Sequence, residues 1–152
     1  MILLLSILSM LNVPAASTGL SVQSASTITL PPAPAGSPAS IVDAQIAAYN
    51  SGDVETFAAC YADDVEFYDL GPGNPMTMRG KAALIAQYKP ILERHRPRAR
   101  LINRIVDGRF VIDKEQIVAG EHINSGAAIY EIVDGKIARV WFTPAVLRLQ
   151  PR

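Results

Sequence analysis

A carboxylate on the apolar face of a strand is the first feature of this sequence that could do chemistry. In Val65-Glu66-Phe67-Tyr68-Asp69-Leu70, strand alternation puts Val65, Phe67 and Asp69 on one face and Glu66, Tyr68 and Leu70 on the other. A carboxylate sent toward a core loses hydration, and its pKa rises toward neutrality. A general base working near pH 7 needs that shift. The other reading of Asp69 is local: it stands at the end of the strand, where it would cap the turn Gly71-Pro72-Gly73-Asn74-Pro75. Gln45 and Tyr49 are the matching polar groups. They fall on the helical stripe Val42, Ile46, Tyr49, so the Gln45 amide either enters a cavity or sits at the edge of the stripe in solvent.

Other groups admit two readings each. Asp113 and Glu115 share a strand face with Val111 and Ile117. They would either hold a metal together with His122 or pair with Arg100 or Arg104. The absence of a fixed ligand spacing favours the ion pair, and no metal site is expected. Glu131 alternates with Ile129 and Val133, which turns it inward or leaves it on an edge. Arg94-His95-Arg96-Pro97-Arg98-Ala99-Arg100, with Arg104, is either a solvated cationic rim or a seat for an anion. No aromatic residues interleave it, so single-strand nucleic-acid stacking is not expected. Cys60 borders an apolar stripe and reads as a small buried hydrophobe. No GxGxxG or Walker loop is present, and no Ser-His-Asp or Cys-His pattern can be drawn.

The elements that would position these groups follow from period and punctuation. Ser40 and Asp43 open a first helix in the manner of a capping box, and Gly52 closes it. Asp53 caps a second, with the stripe Val54, Phe57, Ala58 and Tyr61. A strand over 65–70 and a short one over 76–79 precede a third helix from Lys81, whose stripe is Leu84, Ile85, Tyr88, Ile91 and Leu92. Pro90 should kink that helix. Strands over 100–106 and 109–118 flank Asp107-Gly108, and strands over 127–133 and 136–143 flank Asp134-Gly135; both dipeptides are strong hairpin signals. Helices first and antiparallel strands later describe an α+β domain, with helices on one face of a curved sheet.

Composition bounds the rest. The chain has 152 residues, 14 Lys+Arg against 14 Asp+Glu, and one cysteine, which suits one domain and excludes a disulfide scaffold. The neutral total hides a division: seven carboxylates and no base precede Arg79, while all 14 bases follow Met78. No residue before Asp43 is charged. The apolar run from Ile2 to Val13 is too short for a bilayer span, which takes about 20 residues. It fits the h-region of an export signal over residues 1–15, although no Lys or Arg precedes it. Residues 16–40, rich in Pro, Ser and Ala, read as a disordered linker, with Pro31, Pro32, Pro34 and Pro38 opposing regular structure. The domain is then 41–152, and the protein is expected to be exported, without stable membrane insertion after signal cleavage.

Three segments together carry a family resemblance: "IVDAQIAAYNSGDVETFAACYADDVEFYDL", "MRGKAALIAQY" and "AIYEIVDGKIARVWF". The chain resembles the SnoaL-like and ketosteroid-isomerase-like branch of the nuclear transport factor 2-like superfamily. The resemblance implies a cone-like curved antiparallel sheet packed on three N-terminal helices, with a pocket in its mouth, and commonly a homodimer. It places Asp69 at the isomerase's general base and Gln45 where that enzyme has an oxyanion tyrosine. The second oxyanion acid falls near Ile129. The expected site is therefore Asp69 as catalytic base, with Gln45, Tyr49, Phe67, Tyr88 and Glu131 binding a small hydrophobic molecule without a cofactor. The expected activity is of the isomerase, cyclase or hydratase type. A non-catalytic binding or dimerisation module is the alternative.

Overall fold

A computed structural model describes residues 32–149. The expected export signal and most of the expected linker lie outside the described residues. The elements are α1 (Pro38–Ser51), α2 (Val54–Ala59), β1 (Tyr61–Asp69), β2 (Met76–Arg79), α3 (Lys81–His95), β3 (Arg98–Asp107), β4 (Phe110–Ala119), β5 (His122–Val133), β6 (Lys136–Phe142) and β7 (Val146–Leu149). The strands form one curved seven-stranded sheet in the order β2-β1-β6-β5-β4-β3, with β7 beside β5. This is the α+β architecture expected. One pair departs from the antiparallel pattern: β1 and β6 run parallel, with Phe67 opposite Val140 and Asp69 opposite Phe142. No helix among the described residues is long and apolar enough to cross a membrane.

The helix boundaries follow local chemistry. α1 starts at Pro38, inside the expected linker, because Pro at a first-turn position gives up an N–H that has no intrahelical partner anyway. Its N-cap is Ser37, which accepts from the Ser40 N–H, and Ser40 is already inside the helix. Gly52 ends α1 at φ 81°, a left-handed conformation that favours glycine, and its N–H reaches the Ala48 and Tyr49 carbonyls. Asp53 caps α2 by accepting from the Thr56 N–H at 3.0 Å. α3 runs through Pro90 to His95.

Both expected hairpins form. Asp134 and Gly135 turn with φ 50° and 72°, positive at both central positions as a type I′ turn requires. A third hairpin joins β4 to β5 through Gly120-Glu121, so β5 starts at His122, well before the expected 127. β5 has room for two partners in succession: β6 pairs its Ala128–Val133 part and β7 pairs His122–Ser125.

Two contacts tie α1 to the sheet. At its C-terminal end the Asn50 side chain accepts from the Ala99 N–H at 2.6 Å and donates to the Ala99 carbonyl at 2.9 Å. Nearer its start, Asp43 and the Ala39 carbonyl both accept from the Arg104 guanidinium. Under α1 lies an aromatic layer centred on Phe57, whose ring is 4.9 Å from Tyr88, 5.1 Å from Tyr61 and 5.8 Å from Tyr49. Phe57 is 1% exposed. Truncating such a side chain removes transfer energy and leaves a cavity. Phe57→Ala should lower the unfolding free energy by about 3–5 kcal/mol, read from the midpoint of urea unfolding. A loss below roughly 1 kcal/mol would show that this layer is not packed as described.

Candidate functional site

The helices and the inner face of the sheet enclose a small cavity. Gln45, Ile46 and Tyr49 line it from α1, Tyr61 from β1 and Tyr88 from α3. Glu115 and Ile117 come from β4, with Ala99, Tyr130 and Phe142 from neighbouring strands. Only Ile46 among them is half-buried, which marks the mouth. The free space is ≈ 30 Å³. One water needs roughly 10–15 Å³ on the same measure. The cavity has room for water or a group of similar size.

Glu115 is the carboxylate of this cavity. It is 5% exposed, and Tyr130 donates its hydroxyl to Glu115 Oε1 at 2.8 Å. Burial pushes its carboxyl up to about 7; the Tyr130 hydrogen bond opposes that rise, and the nearby Asp113 charge adds to it. Among the described residues Glu115 has no ion pair. Burial also raises the Tyr49, Tyr61, Tyr88 and Tyr130 phenols, so all four stay protonated, and Tyr130 donates to Glu115. Gln45 Oε1 and Tyr49 OH are buried without a hydrogen-bond partner among the described residues. Such atoms are expensive to leave unpaired and mark where a water or a ligand's polar group belongs.

Next to Glu115 on the same face of β4, Asp113 is fully buried and paired. Arg104 on β3 grips it through Nε–Oδ1 at 2.7 Å and through a second bond of 2.7 Å to Oδ2. The same guanidinium reaches Asp43 on α1. Desolvation alone would lower the Arg104 pKa, but the hydrogen bonds and charges of the two aspartates raise it further. Burial raises Asp113, and Arg104 works against that rise. The ion-pair reading of Asp113 is the one realised, and no group of His, Cys, Asp and Glu among the described residues is placed to hold a metal ion.

Of the expected site residues, Gln45, Tyr49 and Tyr88 converge on the cavity. Phe67 does not line it; it is 1% exposed and packs behind the wall against Tyr61 at 5.7 Å and Phe142 at 6.1 Å. Glu131 is not on the cavity either. Its neighbour Tyr130 faces inward, so Glu131 lies on the opposite face of β5, where Arg109 (2.8 Å) and Arg139 occupy its two oxygens. Asp69 is half-buried at the end of β1 and is absent from the cavity wall. Its N–H donates to the Pro75 carbonyl at 3.1 Å, closing the turn that follows. The irregularity beside Phe67 lies in β2, where Thr77 is the extra residue, and the pairing of β1 with β6 runs unbroken from Glu66 to Asp69. Glu115, Tyr61 and Tyr130 also line the cavity and were not among the expected site residues. The available signal for Glu115 was two carboxylates on one apolar strand face.

The SnoaL-like domain family model matches residues 42–140. The chain belongs to the SnoaL-like domain family. Solved structures with the same fold include a cystatin fold protein from Novosphingobium aromaticivorans (TM-score 0.62, 23% identity, 70% of this chain and 97% of that one). A Kribbella flavida protein provisionally assigned as a ketosteroid isomerase has a TM-score of 0.59 and 20% identity over 76% of this chain and 82% of its own. An LEH-like epoxide hydrolase from M. tuberculosis has a TM-score of 0.57 and 19% identity over 68% of this chain and 78% of its own. No curated protein matches the sequence.

The elevated Glu115 pKa is also a statement about stability. The ordinary value is 4.5 and the folded value about 7, so between them the folded chain holds a proton that the unfolded chain has released. The stability contribution is complete below pH 4.5 and is lost as pH rises through 7. At 1.36 kcal/mol per unit the loss is about 3 kcal/mol. Urea unfolding of the wild type should therefore show stability falling across this range, and Glu115→Gln should flatten most of that fall. An unchanged slope in the variant would place the titrating group elsewhere.

Proposed function

We propose that this protein is a small-molecule enzyme that activates water, adding it to a compact, largely apolar electrophile with Glu115 as general base. The observation that carries this reading is a buried carboxylate with no ion-pair partner among the described residues, on a cavity with room for water and two unpaired polar atoms. A water there can give one proton to Glu115 and one to Gln45 Oε1 and accept from Tyr49 OH. Those three partners are the usual number for a buried water, and they leave one lone pair free to attack.

The chemistry follows from those roles. As the water oxygen bonds to an electrophilic carbon, its proton passes to Glu115, and the bond from that carbon to its leaving oxygen breaks. Tyr61 and Tyr88, kept protonated by burial, are the available donors to that developing oxyanion. Tyr130 fixes the orientation of the base. Proteins of this fold include one named as an epoxide hydrolase, and others provisionally assigned as isomerase and cyclase. The epoxide hydrolase name fits a water-sized space beside a base. The same small space favours one other reading, a non-catalytic binding module whose cone is nearly filled.

Turnover of a panel of small epoxides in ¹⁸O-labelled water tests the proposal. The product should carry the label, and Glu115→Gln should lower kcat by about 10²–10⁴-fold, the usual worth of a positioned base. Asp69→Asn should retain most activity. Full activity in Glu115→Gln would remove Glu115 as the base, and a dead Asp69→Asn with active Glu115→Gln would assign the role to Asp69. Thermal stabilisation by these compounds without any product would favour the binding module.

A further inference from the structure

The Asp43–Arg104–Asp113 cluster does more than join two strands. We infer that these three residues are the positioning device of the site: they hold α1 against β3 and β4, and by engaging Arg104 on both sides they leave Glu115 without a cation. The inference rests on the proposed role of Glu115 and extends it to residues that do not touch the cavity.

The geometry supplies both halves. Asp43 is two residues before Gln45 and six before Tyr49, so the Arg104–Asp43 bond sits at the base of the segment that carries both α1 polar groups. Asn50 closes the other end of that segment through its paired hydrogen bonds to Ala99. The segment between the two ties is thus held at both ends against β3. Asp113 and Glu115 are two residues apart on the inner face of β4, with Asp113 the fully enclosed one. Arg104 meets Asp113 with a two-point fork, the arrangement that best satisfies a buried carboxylate.

The groups that act on Glu115 are few. Asp113 from β4 and Arg104 from β3 are the charged ones. Tyr130 from β5 donates to it, and the phenols of Tyr49, Tyr61 and Tyr88 face it from α1, β1 and α3. All four phenols stay neutral through the physiological range, so only Asp113 and Arg104 can move its titration by charge. Their effects have opposite signs. Without the Asp113 charge, Arg104 is left less neutralised and stabilises the Glu115 carboxylate; without Arg104, a bare Asp113 repels it.

The test titrates Glu115 in the full chain by the pH dependence of its side-chain ¹³C carboxyl resonance, beside the pH–rate profile. Asp113→Asn should move the Glu115 midpoint down and Arg104→Gln should move it up, each by roughly half a pH unit or more. A purely structural role would not produce opposite shifts. Asp43→Asn frees the start of α1 and leaves Arg104 less neutralised, so kcat should fall severalfold, the midpoint should move down by less than in Asp113→Asn, and Asp43→Glu should restore both. Asp43 is partly exposed, so its variants should fold even if Arg104→Gln does not. Shifts of one sign, or none, in Asp113→Asn and Arg104→Gln would overturn the electrostatic half. Wild-type kcat in Asp43→Asn would overturn the positioning half. If wild-type Glu115 titrates as an ordinary carboxyl, the proposed function fails instead, and the resonance shows that without any turnover.

Discussion

One arginine serves two aspartates, and the glutamate beside them has none. The site depends on that imbalance. Three carboxylates, Asp43, Asp113 and Glu115, meet at the junction of α1, β3 and β4, and Arg104 is the only cation bonded to them among the described residues. A buried ion pair repays its desolvation only with good geometry and few unmet hydrogen bonds. The Arg104 fork on Asp113 meets that condition. Glu115 takes the other course open to a buried acid: it holds its proton to higher pH and makes one hydrogen bond, from Tyr130. The tightly paired aspartate is structural, and the unpaired glutamate is free to exchange a proton.

The cavity is a gap in the core rather than a separate chamber. Its aromatic wall is the upper surface of the layer around Phe57, and Phe142 backs onto Phe67. Packing that excludes solvent from the core therefore also sets the protonation of Glu115 and of the four tyrosines. Loosening the core would admit water, lower the Glu115 pKa and weaken its fitness as a base near neutrality.

Charge on the other face of the sheet works differently. Glu131 and Glu66 share Arg139, with Arg109 and Arg79 adding further pairs, and Tyr68 donates to Glu66 while stacking on Trp141 at 5.7 Å. The arginines there are largely solvated, so the Glu66 pairs add little stability each, whereas Glu131 is buried and needs its two arginines to satisfy its carboxylate. The exposed Arg94, Arg96, Arg98 and Arg100 likewise form a cationic rim at the end of α3 and the start of β3, away from the cavity wall.

Much of the fold was legible in the sequence because its signals are local. Gly52 and Asp53 punctuate the helix pair, Asp107-Gly108 and Asp134-Gly135 turn their hairpins, and the stripes of Val42, Tyr49, Leu84 and Tyr88 name the buried helix faces. Each of these needs only a few neighbouring residues. Legible too was the convergence of Gln45, Tyr49 and Tyr88, since helical period assigns them to faces that must meet a sheet. Tertiary structure alone decided which carboxylate enters the cavity. Strand parity allowed Asp69, Glu115 and Glu131 alike. Glu115 lines the cavity wall and Asp69 does not, Tyr130 takes the inward side of β5 beside Glu131, and Asp43 reaches Arg104 from 61 residues away. A pKa depends on what surrounds a group in three dimensions, and the spacing of residues along the chain does not contain that information.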